Sequence, residues 1–538
     1  MRLRRETLSS LPAAIAAASA VLLVFQWAGA RPLWLDEEFL AVSFRDRGIP
    51  DYFEPLWLGQ TAPFGWLALV RLTVITLGVD ERALRLIPLL FGIATIATAV
   101  WIGRRWMTAA GAATLVLLCG FAQWLTYHVF ELKPYSADAF LALLVPAVAV
   151  WSLEISRPAM FWIVAAIAQW FGNGALFVTP LSALVVAAIL LRRDGWRSAF
   201  RFSLIGLVWL GSFVLNYVLV LRHASSYAFF YRFWSGAFPP VGAGTIQTLR
   251  WFGSQFGGFD IKPGSARVAH SLWLTAVGGF VAGAATGQLL APLFATVPAA
   301  AALLTALRLV PFYERLTLWM VPSLYVGVAL LADVARRSLE SGRSSVRPVA
   351  ALGLSVAVLI CGDIAIRGAL DGVRRGLSVA ENHRLDDRAA VRWLNGQKQP
   401  GDVWITTHYG VPAVWWYAGI ADQRVIEVGH QRAGPDCRDD GLDAALANAP
   451  RVLLYLGFRF DDVPHGFDDL LVERLTERGS VTAYRPFAEA SEALVIDRRA
   501  TSAAPTTLTR LNPRAASGEK AIDGCFNVSV AEIPAFVR

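Results

Sequence analysis

Apolar runs of about 17–23 residues recur through the first two-thirds of this chain, each long enough to cross a hydrocarbon core as a helix. Inside a bilayer every backbone amide must be satisfied within the protein, so a chain built from such runs has a helical bundle as its main option. Composition agrees. Of 538 residues 55% are hydrophobic and only 17% charged, against roughly a quarter charged in soluble domains. The net charge of +8 does not point to nucleic acid. Basic residues collect at 2–5, 104–105, 192–201 and 336–347, in short stretches between apolar runs, which is the positive-inside pattern. No basic stripe with interleaved aromatics lies outside the apolar part.

The runs at 11–30, 83–103, 110–128, 136–153, 159–171, 175–191, 200–221, 272–290, 291–307, 316–334 and 348–366 make about eleven spans. The first follows Arg2, Arg4 and Arg5 and ends in Ala28-Gly29-Ala30, which resembles a signal cleavage site. It is longer than a usual signal core, so it reads as an uncleaved span with the N-terminus cytoplasmic. The stretch 61–78 is apolar but short and interrupted by Arg71; it reads as an interfacial amphipathic helix, which keeps Arg104-Arg105 inside. An odd count puts the C-terminal part outside the cell membrane.

From about residue 367 Asp, Arg, His and Gly become common, and apolar runs shrink to strand length at 402–407, 424–428, 451–457 and 493–497. Helix-like pieces at 386–395 and 442–448 lie between them, the alternation of a small α/β domain. The expected organisation is a transmembrane domain over 1–368, with a first outer loop at 31–82, and an extracytoplasmic α/β domain over 369–538 with a flexible tail at 501–516. Cys119 and Cys361 sit in apolar runs; Cys437 and Cys525 lie in the outer part, where a disulfide is permitted.

Three charged tips project to the outer side in this topology. Asp36, Glu37 and Glu38 stand directly behind the first span, in an aromatic loop that continues with Asp46, Asp51 and Glu54. Carboxylates there either cap a helix or act, as a general base on a hydroxyl or as oxygen ligands for a divalent metal. The second tip runs from Tyr127 to Asp138 and carries His128, Glu131, Lys133, Pro134 and Tyr135. The third is Pro311-Phe312-Tyr313-Glu314-Arg315, whose Arg315 suits phosphate. The aromatic loop 227–234 either lines an apolar groove or sits in an interfacial belt.

The acidic pair after the first span, Ala62-Pro63-Phe64-Gly65-Trp66, Glu81–Arg85 before a span, the Glu131–Tyr135 tip and the Arg tip after Pro-Phe occur in one order. This order resembles the GT-C membrane glycosyltransferases, in particular the branch of protein O-mannosyltransferases and lipid A aminoarabinose transferases, over roughly residues 1–335. The chain departs from it at Ala62, where many relatives carry a second proline, and at Lys133, where many carry Arg or another residue.

The resemblance implies a polyprenyl-phosphate-sugar donor. It makes Asp36 the catalytic carboxylate and Glu37 the adjacent acid that orients it or the acceptor, and it puts Glu131, Lys133 and Arg315 at the lipid phosphate or a metal, with Tyr135 and Tyr313 beside them. The chemistry agrees: an acceptor hydroxyl needs a base, and a leaving phosphate needs positive charge rather than an acid. Lys133 and Arg315 supply that charge; a divalent metal, Mg or Mn, held by Glu131 or Glu37 is the alternative. Direct attack at C1 inverts the anomeric centre. The acceptor is left open among lipid, glycan and protein. A transporter or lipid flippase, or a scaffold whose outer domain binds a partner, is the competing reading, though no internal repeat favours the former.

Overall fold

The computed structural model describes residues 2–225, 228–341, 344–419, 424–432, 440–459, 466–499 and 524–531. The chain divides into two compact units: one of Met1–Gly29, Gly48–Pro55 and Thr61–Leu377, the other of Ala30–Arg47, Leu56–Gln60 and Ser378–Arg538.

The first unit is a helical bundle. Among the described residues seven helices are long and apolar enough to cross a membrane, and Ala109–Phe121 with Gln123–Phe130 makes an eighth if the pair, bent by 48°, counts as one span. The protein is an integral membrane protein of polytopic helical class. Each expected span is helical, but Ala159–Ala168, Ser271–Ala285 and Leu290–Ala306 are shorter than a full crossing, as is Phe64–Leu77 in the 61–78 stretch.

Glycines set the closest helix crossings. A Cβ on Gly279 would strike the carbonyl of Gly327, and one on Gly327 would lie 2.7 Å from the carbonyl of Ala276. Without a hydrophobic drive between helices in lipid, such small-residue contacts hold bundles together. At the neighbouring Gly278 an added Cβ would meet nothing within 4 Å. Gly279→Leu should therefore destabilise the bundle by about 3 kcal/mol, the upper end of the usual cost of overpacking, and Gly278→Leu should be silent. Thermal unfolding in detergent of the two variants side by side reads this; equal melting would sink the crossing.

The last apolar helix, Arg347–Leu377, runs well past the expected end at 366. Pairs spaced by four support its charged half: Asp363 with Arg367 at 2.6 Å and Asp371 with Arg375 at 2.9 Å. Gly368, Gly372 and Gly376 lie on one stripe, the first against Phe121, the others against Leu22 and Phe25 of the N-terminal helix. Charge ended the hydropathy signal there but not the helix.

The second unit is a three-layer α/β fold around a six-stranded sheet of order β4-β5-β3-β1-β2-β6, with β1 Val403–Thr407, β2 Val425–Arg432, β3 Arg451–Leu456, β4 Ser480–Phe487, β5 Ser491–Asp497 and β6 Gly524–Val530. The strands β3, β1 and β2 are parallel; β4, β5 and β6 pair antiparallel. β3 is buried along its whole length, as parallel strands covered on both faces are. One face, with Ile405, Ile426 and Leu454, packs on Leu442 and Leu446 of Asp440–Leu446 and on Leu471 and Leu475 of Gly466–Thr476. The other carries Asp387–Gln397 and Val411–Tyr417, and against the latter packs Leu35–Asp46, the helix of the acidic loop. Cys525 is buried in β6 and held in a disulfide; Cys437 and the tail 501–516 lie outside the described residues.

Candidate active site

In the second unit the helix Leu35–Asp46 opens with all three acidic residues in its first turn, where they favour the positive end of the helix dipole. Its side chains separate them. Glu37 is fully buried; its Oε2 accepts from the backbone N–H of Trp34 at 3.3 Å and from Nδ2 of Asn382 at 3.2 Å. The first of these is half of a capping box. The hydroxyl of Tyr417 accepts the Leu33 N–H at 2.7 Å, Asn382 donates to the Pro32 carbonyl, and Trp34 contacts His383 with ring centroids 4.2 Å apart and tilted by 43°. These contacts fasten the start of the loop helix to the α/β unit.

Glu38 is also fully buried and faces Asp387. Asp387 accepts from Tyr455 at 2.5 Å and from Ser491 at 2.9 Å. Glu38 and Asp387 lie within hydrogen-bonding reach of each other, and two carboxyls can bond only when one of them carries a proton. Burial raises the Glu38 carboxyl well above the ordinary range, with the Asp387 and Glu37 charges adding to it. Burial likewise pushes Asp387 up to about 6, against the pull of its two hydroxyl donors. Asp36 differs from both neighbours in being half-buried, as is Phe39 one turn on.

In the membrane unit the break at Ala122, whose backbone is extended, turns the chain into Gln123–Tyr127 and the short turn His128–Phe130. Arg375 steadies this break, donating to Thr126 Oγ1 at 3.2 Å and lying 5.2 Å from the Tyr127 ring centroid. His128 and Glu131 are buried and joined, Nδ1 to Oε2, at 2.8 Å. Tyr135 meets the His128 ring edge-on at 5.4 Å. Lys133 is half-buried, its N–H donating to the Glu131 carbonyl at 2.7 Å.

The turn Glu314–Met320 packs on the helix Tyr135–Glu154. Its Glu314 pairs with Lys262 at 2.8 Å, and Lys262 Nζ lies 4.5 Å from the Trp124 ring, which neighbours His128. Tyr313 is exposed and contacts Trp234 at 4.8 Å; Arg315 is half-buried. The expected residues of 131–135 and 313–315 are thus brought to one region of this unit, bridged by Lys262 and Trp124.

Neither bridging residue was an expected site residue. Lys262 caps the end of the helix Thr245–Ile261, and no charged motif surrounds it in sequence. One signal could have found it: residues 1–377 use arginine almost throughout and contain only two lysines, Lys133 and Lys262. The segment after Lys262 is pinned by Ser265 Oγ, which accepts from Trp124 N at 3.2 Å, by Tyr325, which donates to the Gly264 carbonyl at 3.0 Å, and by Arg367 at the Ser265 carbonyl.

Among the described residues no three His, Cys, Asp or Glu side chains gather in a group able to hold a divalent metal. Glu131 is engaged by His128, and Glu37 by Trp34 and Asn382.

A helical membrane bundle followed by a small α/β unit is a fold shared with a solved structure. The chain is similar to ArnT from Cupriavidus metallidurans in its apo state, with a TM-score of 0.53 and 16% identity over 90% of this chain and 98% of that one. A structure of the same ArnT bound to undecaprenyl phosphate gives a TM-score of 0.49 at 14% identity over 90% and 98%. The mycobacterial arabinofuranosyltransferase AftD gives 0.48 at 15% over 95% of this chain and 43% of that one. No protein-family profile matches the sequence, and no curated protein matches it.

Proposed function

We propose that this protein is a membrane glycosyltransferase that moves a sugar from a polyprenyl-phosphate donor to an acceptor hydroxyl. The observation that carries the reading is fold likeness to ArnT along nearly the whole of both chains. The chemistry of the tips supports it. Asp36 is the half-buried member of the acidic triplet and takes the proton of the acceptor hydroxyl. Glu37 is a positioning residue: buried between Trp34 and Asn382, it holds the first turn that presents Asp36. Attack at C1 forms the new glycosidic bond as the bond to the phosphate oxygen breaks, with inversion, and the phosphate leaves as an anion needing no acid.

Lys133, Lys262 and Arg315 offset the charge on that phosphate, and Tyr135 and Tyr313 flank them. His128 orients Glu131 through their 2.8 Å contact. The α/β unit and the loop helix lie on the extracytoplasmic face of the cell membrane, with the N-terminus cytoplasmic.

The test is transfer by purified protein from a panel of radiolabelled polyprenyl-phosphate sugars to membrane extract. Label that moves to no acceptor from any donor, together with absence of donor binding, would overturn the reading in favour of a transporter or scaffold. Within that assay Arg315→Ala and Lys262→Ala should each raise the donor KM by about tenfold or more, the loss expected for one charge-assisted bond to phosphate. An unchanged donor KM and rate in either variant removes that residue from the phosphate site.

A further inference from the structure

We propose that the aromatic patch of Phe39, His408, Tyr409 and Phe458 is a carbohydrate subsite that holds a sugar ring of the acceptor; this deepens the glycosyltransferase reading and rests on it. The patch lies at the carboxyl ends of the parallel strands. Residues His408 and Tyr409 directly follow β1, and Phe458 follows β3 by two positions. From β1 the chain moves to β2 on one side, and β3 lies on the other. This is the point where strand order reverses, and open α/β sheets bind ligands there, outside the carboxyl ends.

The side chains make a mixed surface. Tyr409 is 52% exposed and meets the Phe458 ring at 5.6 Å and the His408 ring at 5.6 Å. His408 Nδ1 pairs with Glu427 Oε1 of β2 at 2.8 Å, and the imidazole is itself half exposed. Ring faces beside a fixed histidine–carboxylate pair offer what a sugar ring presents in turn: an apolar C–H face and a rim of hydroxyls. The fixed His408–Glu427 pair beside the Tyr409 ring offers hydrogen bonds that sugar hydroxyls use and an acyl chain cannot.

Phe458 adds a second sign. Its φ is +64°, a left-handed backbone that a bulky side chain adopts only under constraint and that concentrates at binding sites.

The loop helix links the patch to the chemistry. Phe39 meets His408 with centroids 6.5 Å apart. Asp36 and Phe39 are three residues apart on one helix and so share a face, and both are half-buried while Glu37, Glu38 and Leu40 are buried. The face that presents the proposed base therefore runs onto the aromatic patch. A sugar seated there brings its hydroxyls to the Asp36 side.

The experiment uses full-length protein in lipid nanodiscs, a saturating radiolabelled polyprenyl-phosphate sugar, and octyl glycosides of glucose, galactose, mannose and arabinose as acceptors. Tyr409→Ala should raise the acceptor KM about tenfold, the effect of losing one ring face against a sugar, with kcat and donor KM unchanged. Tyr409→Phe should keep the wild-type KM, and His408→Ala should raise it. Tyr409 is exposed, so its replacement leaves folding intact. An acceptor KM within twofold of wild type in Tyr409→Ala overturns the subsite while leaving the enzyme reading standing. Transfer by wild type to membrane extract but to no octyl glycoside also overturns it. Absence of transfer from every donor defeats the enzyme reading itself, and the subsite with it.

Discussion

Asp36→Asn is expected to lower the rate of sugar transfer by about 10²–10⁴, the span that a positioned general base supplies. The reason lies in how the first turn of the loop helix divides its carboxylates. Glu37 is engaged by Trp34 and Asn382, and Glu38 is committed to Asp387. Asp36 alone of the three is half-buried. Asn has the same shape and keeps the helix start, so expression and thermal unfolding should match wild type. The donor KM should also hold, because the proton is taken from the acceptor. Single-turnover transfer of labelled sugar reads the effect; a variant that transfers at the wild-type rate removes Asp36 as base.

The second large effect concerns pH and the buried pair Glu38–Asp387. Burial makes both carboxyls hold protons more tightly in the folded protein than in the unfolded chain. The folded state therefore binds more protons, and stability falls as pH rises. The fall begins near the ordinary carboxyl range at about 4, continues through about 6 for Asp387, and extends beyond it for Glu38. For Asp387 alone the loss across this window is about 3 kcal/mol.

Glu38→Gln should make the dependence shallower, since the Glu38 titration is lost while that of Asp387 remains. Hydrogen exchange in β1 and β3, followed from about pH 4 to 8, isolates this unit from the membrane bundle. The same slope in wild type and Glu38→Gln would falsify the shared proton. Asp387→Ala should cost about 2–4 kcal/mol near pH 4, because it strands the hydroxyls of Tyr455 and Ser491 in the interior, and less at higher pH, where the wild type itself loses stability as Asp387 ionises.

These two effects share one helix, and they show where a sequence stops being readable. The membrane class followed from the length of the apolar runs, because a bilayer demands a fixed number of helical residues whatever surrounds them. The inner strands β1, β2, β3 and β5 were legible for a similar reason: strands covered on both faces must be apolar nearly throughout. The strands that escaped notice, β4 and β6, are the two edges of the sheet. An edge is half solvated, so its residues, Pro486 of β4 among them, carry no continuous apolar signal. The acidic triplet and the basic tips were visible as residue types at outer positions, since charge is costly inside lipid.

Only the tertiary structure decided what each of those charges does. Three carboxylates in a row look alike in sequence, yet a helix turns successive residues by about 100°, so neighbours face different surroundings. Glu37 and Glu38 turn into the α/β unit, and their partners Asn382 and Asp387 come from about 345 residues further along the chain. Lys262 owes its place beside Trp124 and Glu314 to the end of the helix Thr245–Ile261, which no motif marks. The grouping of Ala30–Arg47 with the C-terminal unit rests on contacts such as Leu33 to Tyr417. Local pattern determined the class of the protein and the stretch where its chemistry lies. The division of labour among adjacent side chains was set by long-range contacts, which periodicity and composition do not encode.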